Sequence, residues 1–130
     1  MDYEKSLEDL EKALIELIEE NKTIPIIVEG SKDVEALRKL GVTGEIISFN
    51  MGLSIPDFSD MIAKKYKSII LLTDWDRKGG YLCSTIKKNL ESRVDCNTKY
   101  REIFATKTMI RTIEGLPSWI KTIRKKLRLN

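Results

Sequence analysis

Two short runs constrain this chain more than any other feature. "IPIIV" at residues 24–28 and "SIILLT" at residues 68–73 are apolar over consecutive positions and rich in β-branched side chains. A strand with one wet face alternates polar and apolar residues, whereas an unbroken apolar run needs cover on both faces. Parallel strands with helices above and below meet that need. "EIISF" at 45–49 reads as a further strand, and "RTIEGL" at 111–116 as a short fourth one.

Helical patterns fill the intervals. Residues 3–20 carry Leu7, Leu10, Leu14, Leu17 and Ile18 at helical spacing. "SKDVEALRKL" at 31–40 starts with Ser31 as a natural N-cap and stops at Gly41. Residues 54–66, with Pro56 in the first turn, and 80–92 are two more helices. "KYREIFATKTMI" at 99–110 is ambiguous and favours helix, and "PSWIKTIRKKL" at 117–127 closes the chain as a basic helix. Strands alternating with helices on short connections predict an α/β fold, Rossmann-like, with a mainly parallel four-stranded sheet flanked by helices. At 130 residues, without repeats or linkers, one domain over 1–130 is expected.

Composition narrows the chemistry. There is no histidine, which excludes serine–histidine and cysteine–histidine catalysis and histidine metal sites within this chain. Cys83 and Cys96 lack the close pairing of a zinc site and read as reduced structural thiols. No apolar run approaches the roughly 20 residues of a membrane span, and the acidic amphipathic N-terminus is unlike a signal peptide, so a soluble, cytoplasmic protein is expected. Net charge is only +3, yet residues 1–20 hold eight acids against two bases, and residues 98–130 nine bases against two acids. The basic end suits either a polyanion such as nucleic acid or a solvated helix face. The acidic helix either packs on its own sheet or docks a protein partner.

Carboxylates fall where strands end. Glu29 follows the first run, and Asp74 and Asp76 follow the third. In an open parallel sheet, ligands bind outside the carboxyl ends of the strands, at the point where strand order reverses. If the first and third strands are neighbours, these acids meet on one rim, and Glu114 near the end of "RTIEGL" is positioned to join them. Carboxylates so close raise one another's pKa or recruit a cation. An Asp-x-Asp pair suits Mg²⁺, or Mn²⁺, held through one or two carboxylates plus waters and substrate phosphates. The same pair also fits a turn or a helix cap. Gly30 allows a tight turn, and Lys32 adds a charge at a helix start able to attract phosphate.

The segments "IIVEGSKDVEAL" and "IILLTDWDRKGG" resemble the Toprim domain found in topoisomerases, bacterial primases, overcoming-lysogenization-defect nucleases, recombination-repair proteins and the ribonuclease that matures 5S ribosomal RNA. The similarity covers about residues 24–116 and is strongest to small stand-alone Toprim proteins. It implies a Toprim-like fold and Mg²⁺-dependent phosphodiester chemistry on RNA or DNA, as in a small nuclease. Glu29 is implied as general acid or base, and Asp74 and Asp76 as the metal pair, with Glu29 and Glu114 as further metal-site carboxylates. Gly30 and Gly79 match the family's turn glycines, while Lys32, Arg77 and Lys78 stand where phosphate would be held. Gly80 occupies the place where topoisomerases carry another glutamate. The recombination-repair branch offers an alternative: a non-catalytic module binding nucleic acid or a protein partner, the latter including a second copy. A receiver-like phosphoacceptor domain is less consistent, because no fifth strand with its lysine is visible.

Overall fold

The computed structural model describes residues 1–128; Leu129 and Asn130, the last two residues of the basic stretch, lie outside the described residues. Among the described residues, ten elements run in the order α1 (Tyr3–Glu20), β1 (Ile26–Val28), α2 (Ser31–Lys39), β2 (Ile46–Ser48), α3 (Ile55–Lys65), β3 (Ser68–Leu71), α4 (Arg77–Leu90), β4 (Asp95–Asn97), α5 (Lys99–Lys107) and α6 (Leu116–Lys126). The four strands form one sheet in the order β2-β1-β3-β4, and every pairing is parallel. β1 and β3 are therefore neighbours at the sheet centre, and the order reverses between them.

The two apolar runs do what an unbroken pattern requires. Ile26 and Val28 of β1, with Ile70 and Leu72, face a core built with α1, α2, α5 and α6. Ile27, with Ile69 and Leu71, faces the second core, built with α3 and α4. All seven side chains are fully buried. Burial of each is worth about 1.5–3 kcal/mol, so both helical layers are tied to the same central strands.

α1 is capped by Asp2, whose side chain accepts from the Lys5 N–H at 3.1 Å, and it buries Leu7, Leu10, Leu14 and Leu17. At its far end Asn21, 2% exposed, fixes the entry to β1. Its Nδ2 donates to the carbonyls of Ile24 and Glu45 at 3.0 and 2.9 Å, and its Oδ1 accepts from the Gly44 N–H at 2.8 Å. Part of the charge asymmetry of the sequence is met across the fold. Glu11 pairs with Arg124, Asp9 with Lys107 at 3.1 Å and Glu16 with Lys99 at 3.4 Å, while Lys126 lies 4.6 Å from the centre of the Tyr3 ring. α1 thus packs on its own domain and pairs with three bases of the C-terminal third.

Four expectations are corrected. "RTIEGL" is not a strand. Ile113 instead turns into the core, and its N–H goes to a carboxylate rather than a ladder. The fourth strand is β4, "DCN", paired with β3 through Ser68↔Asp95, Ile69↔Cys96 and Ile70↔Asn97. α4 starts at Arg77 rather than at residue 80, because Asp76 caps it and draws both glycines into the first two turns. α2 takes Gly30, not Ser31, as its N-cap, and Gly30 is extended (φ −154°, ψ −178°) rather than tightly turned. Gly41 does end α2 as read, in the left-handed region at φ +98°.

Candidate active site at the sheet switch point

Glu29 is the first residue past β1, and Asp74 stands three residues past β3. Because β1 and β3 are adjacent, the two meet directly: the Asp74 N–H donates to Glu29 Oε2 at 2.9 Å. Asp74 Oδ1 in turn accepts from the Ile113 N–H at 2.9 Å. The 110–113 segment crosses the end of β3, where Ile110 O accepts the Trp75 Nε1–H at 2.6 Å and Arg111 O accepts the Trp75 N–H at 3.0 Å. Trp75 therefore faces away from the acids, its ring 5.9 Å from that of Phe104. Asp76 Oδ1 accepts from the Gly79 N–H at 2.7 Å and so caps α4.

The turn between Asp74 and Gly79 is built at close quarters. A Cβ placed on Gly79 would lie 2.6 Å from the Asp74 carbonyl carbon and 3.0 Å from its Cα, and closer still to its oxygen. Only glycine lets helix and strand end approach this far. Thr73, fully buried, donates from Oγ1 to the Gly79 carbonyl at 2.7 Å. Arg101 of α5 donates from Nε to the carbonyls of Thr73 and Asp74, both at 3.2 Å, and from Nη2 to Asp74 O at 2.9 Å. A Cβ on Gly80 would lie 3.4 Å from Arg101 Nη2, so this guanidinium packs against the position where topoisomerases carry glutamate.

The electrostatics follow from this crowding. Burial pushes the Asp74 carboxyl up to about 7; the Ile113 N–H opposes the shift, while Asp33, Glu29 and Asp76 add to it. Asp33, in the first turn of α2 and 7% exposed, is also raised, first by burial and then by Glu29 and Glu114. Its Oδ2 accepts from the Gly30 N–H at 3.1 Å, which steadies the backbone beside Glu29. Glu114 is exposed in the turn before α6. It lines a small hollow with Lys32 and Glu35 rather than completing a sheet rim. Lys32, Arg77 and Lys78 are exposed around the acids. A cleft of about 660 Å³ opens from Glu29, Gly30 and Lys32 across to Lys78 and Tyr81.

The donor set suits a hard divalent cation. Glu29, Asp74 and Asp76 each spend one oxygen on a backbone N–H, and the second oxygen of each has no hydrogen bond to a described residue. Among the described residues no three acidic or thiol side chains stand close enough together to form a cage. Mg²⁺ needs only one or two carboxylates beside waters and phosphate oxygens, and added positive charge would offset the burial, and after it the neighbouring acids, that raise Asp74.

Three site residues escape sequence reasoning. Asp33 carries a faint signal, an acid four residues after Glu29 in a capping position. Thr73 and Arg101 carry none, since their role is to hold backbone carbonyls across the fold.

The architecture is thus a doubly wound α/β domain with carboxylates gathered at its topological switch point. The model of the Toprim domain matches residues 24–107. The chain belongs to the Toprim family, as one of the small UPF0292 proteins. It is 46% identical over 99 residues to a UPF0292 protein of Thermoplasma volcanium, a match spanning 75% of this chain and 83% of that one. It is 42% identical over 121 residues to a UPF0292 protein of Methanocaldococcus jannaschii, spanning 91% of each. A solved structure of a protein from Aquifex aeolicus superposes with a TM-score of 0.70 at 28% identity, covering 80% of this chain and 94% of that one. No described helix is long and apolar enough to cross a membrane.

Proposed function

We propose that this chain carries out Mg²⁺-dependent phosphodiester chemistry on nucleic acid, as a small Toprim nuclease. The observation that supports it most is the contact between the two motifs: Glu29 at the end of β1 receives the backbone N–H of Asp74 beyond β3, with a second carboxylate oxygen left on each. In this reading Asp74 and Asp76 hold the divalent ion with Glu29 beside them, and the ion supplies charge neutralisation at the phosphate and a more acidic water. Glu29 accepts or returns the proton of the attacking or leaving oxygen, since its carboxylate is fixed at one oxygen and free at the other. Lys32, Arg77 and Lys78 bind the non-bridging phosphate oxygens as charge-assisted donors. Thr73, Arg101 and the Ile113 N–H hold the Asp74 turn still, so the carboxylates meet the phosphate without reorganising.

The test is cleavage of a panel of RNA and DNA substrates by purified protein with Mg²⁺ or Mn²⁺. Glu29→Gln is expected to slow cleavage by about 10²–10⁴, the usual contribution of a general acid or base. Asp76→Asn keeps an oxygen for the Gly79 N–H, so the fold survives while metal-dependent cleavage falls. Metal-dependent binding without cleavage would instead assign the chain to non-catalytic nucleic-acid recognition. A panel left both uncut and unbound would overturn the proposal.

A further inference from the structure

Of the four tyrosines, three are committed within the fold. The Tyr3 hydroxyl contacts Met109 Sδ and its ring lies under Lys126, Tyr66 donates to Glu45 at 2.7 Å, and Tyr100 donates to Glu20. Tyr81 makes no side-chain hydrogen bond or ring contact with a described residue, and it is 71% exposed. It sits one helical turn after Lys78 on α4, so the two share a face, and both line the cleft that begins at Glu29.

The opposite wall comes from the segment after β2. Phe49 and Asn50 line the same cleft. They are held in register with the acids by backbone bonds: the Phe49 N–H to Val28 O at 2.8 Å, and the Asn50 N–H to Glu29 O at 3.0 Å. Ser48 Oγ donates to the same Glu29 carbonyl at 3.2 Å. Phe49 is backed edge-on by Phe58, at 5.1 Å between ring centres. The Asn50 side chain is exposed and makes no hydrogen bond to a described residue. The cleft therefore presents an unpartnered aromatic, an amide with a free donor and acceptor, two lysines (Lys32 and Lys78) and, at one end, the reactive carboxylate.

We infer that this cleft takes one unpaired nucleotide of a single-stranded segment, its base stacked on Tyr81 and read by Asn50, its phosphates between Lys32 and Lys78. The inference rests on the phosphodiester reading and adds a substrate class to it. A base in a duplex has no free π-face for Tyr81, whereas a splayed base offers its face to an aromatic ring and its edge to an amide. The cleft volume, about 660 Å³, falls within the range of small-molecule sites, about 300–1,000 Å³. The lysines complement a phosphate on the substrate side, and the Asn50–Glu29 tether sets the base at a fixed remove from the scissile bond.

The experiment is fluorescence anisotropy of the 130-residue chain with short labelled oligonucleotides in EDTA, so that nothing is cut. Single-stranded RNA, single-stranded DNA and the blunt duplex of each are compared at one ionic strength. Single strands are expected to bind more tightly than duplexes. Tyr81→Ala is expected to weaken single-strand binding about tenfold while leaving duplex affinity unchanged, and Tyr81→Trp to restore it. Lys78→Gln is expected to weaken both and to flatten the salt dependence. The RNA and DNA arms show which backbone the cleft prefers. If duplexes bind as well as single strands and Tyr81→Ala changes neither, the stacking assignment is overturned while the phosphodiester reading stands. If no oligonucleotide binds, the stacking assignment falls, and the phosphodiester reading is decided separately by the cleavage panel with Mg²⁺ or Mn²⁺.

Discussion

Gly79→Ala isolates the close approach on which the site depends. The added methyl would sit 2.6 Å from the Asp74 carbonyl carbon and 3.0 Å from its Cα, against a comfortable carbon–carbon separation of about 3.5–4.0 Å. The obstacle is backbone, and that backbone is pinned by Arg101 Nη2 on Asp74 O at 2.9 Å and by Thr73 Oγ1 on Gly79 O at 2.7 Å. Overpacking of this kind costs about 1–3 kcal/mol, and here the rigid partner argues for the upper end. Moving the turn to relieve the clash draws the residue-79 N–H away from Asp76 and costs up to about 1 kcal/mol of capping, roughly cancelled by the better helix propensity of alanine. The net is about 3 kcal/mol, or about 10 °C in Tm at this chain length. Gly30→Ala is the control. Gly30 has no neighbouring atom within 4 Å of a built Cβ and an extended backbone any residue adopts. Its poorer N-cap character, about 1 kcal/mol, is offset by about 0.4–1 kcal/mol of lost unfolded-state entropy. Thermal denaturation followed by circular dichroism measures both. Equal shifts in the two variants, or a Gly79→Ala protein that melts within about 2 °C of wild type, would refute the steric reasoning.

Further expectations rest on separate contacts. Asp74 ionises near 3.8 when unfolded and near 7 in the fold, so the native state binds the extra proton, and stability falls as pH rises between those values. Asp74→Asn keeps an oxygen for the Ile113 N–H and carries no charge. Its Tm should exceed that of wild type above neutrality and match it below about pH 4, and a carboxyl-carbon titration of the wild type should show Asp74 with a midpoint near 7. Arg101→Met retains the aliphatic stem but removes every donor to the Thr73 and Asp74 carbonyls. A loss of about 2–3 kcal/mol is expected in urea denaturation, and amide shifts should concentrate at residues 73–76. Asn21→Ala breaks bonds to Ile24, Gly44 and Glu45 at once and should cost about 3 kcal/mol by the same assay.

What the sequence made legible follows the physics of each element. β1 and β3 announce themselves because burial on both faces demands unbroken apolar runs. α1 is equally plain, its leucines falling on one face. β4 is nearly invisible. Asp95, Cys96 and Asn97 carry no β-branched residue, and a three-residue edge strand is held by backbone pairing to β3 rather than by its side chains. "RTIEGL" misleads in the opposite way. Thr112 and Ile113 look like strand residues, but the N–H of Ile113 goes to the Asp74 carboxylate and the Arg111 carbonyl to the Trp75 N–H, so these groups serve the Asp74–Trp75 turn rather than a neighbouring strand. Within the site, Glu29, Asp74 and Asp76 stand out because acids at the ends of apolar strands are costly. Asp33, Thr73 and Arg101 do not, because each acts on a backbone group whose position exists only after folding. Composition does not reveal that three bases of the C-terminal third, Lys99, Lys107 and Arg124, pair with acids of α1, because those pairs exist only after folding.

The central claim is that the switch-point carboxylates form a divalent-cation site for phosphate chemistry. An anomalous difference map from crystals soaked in millimolar Mn²⁺ tests it most directly. One peak held by the carboxylates of Asp74 and Asp76 is expected, absent in the Asp76→Asn protein. A map without density there, at a concentration that fills ordinary Mn²⁺ sites, would contradict it.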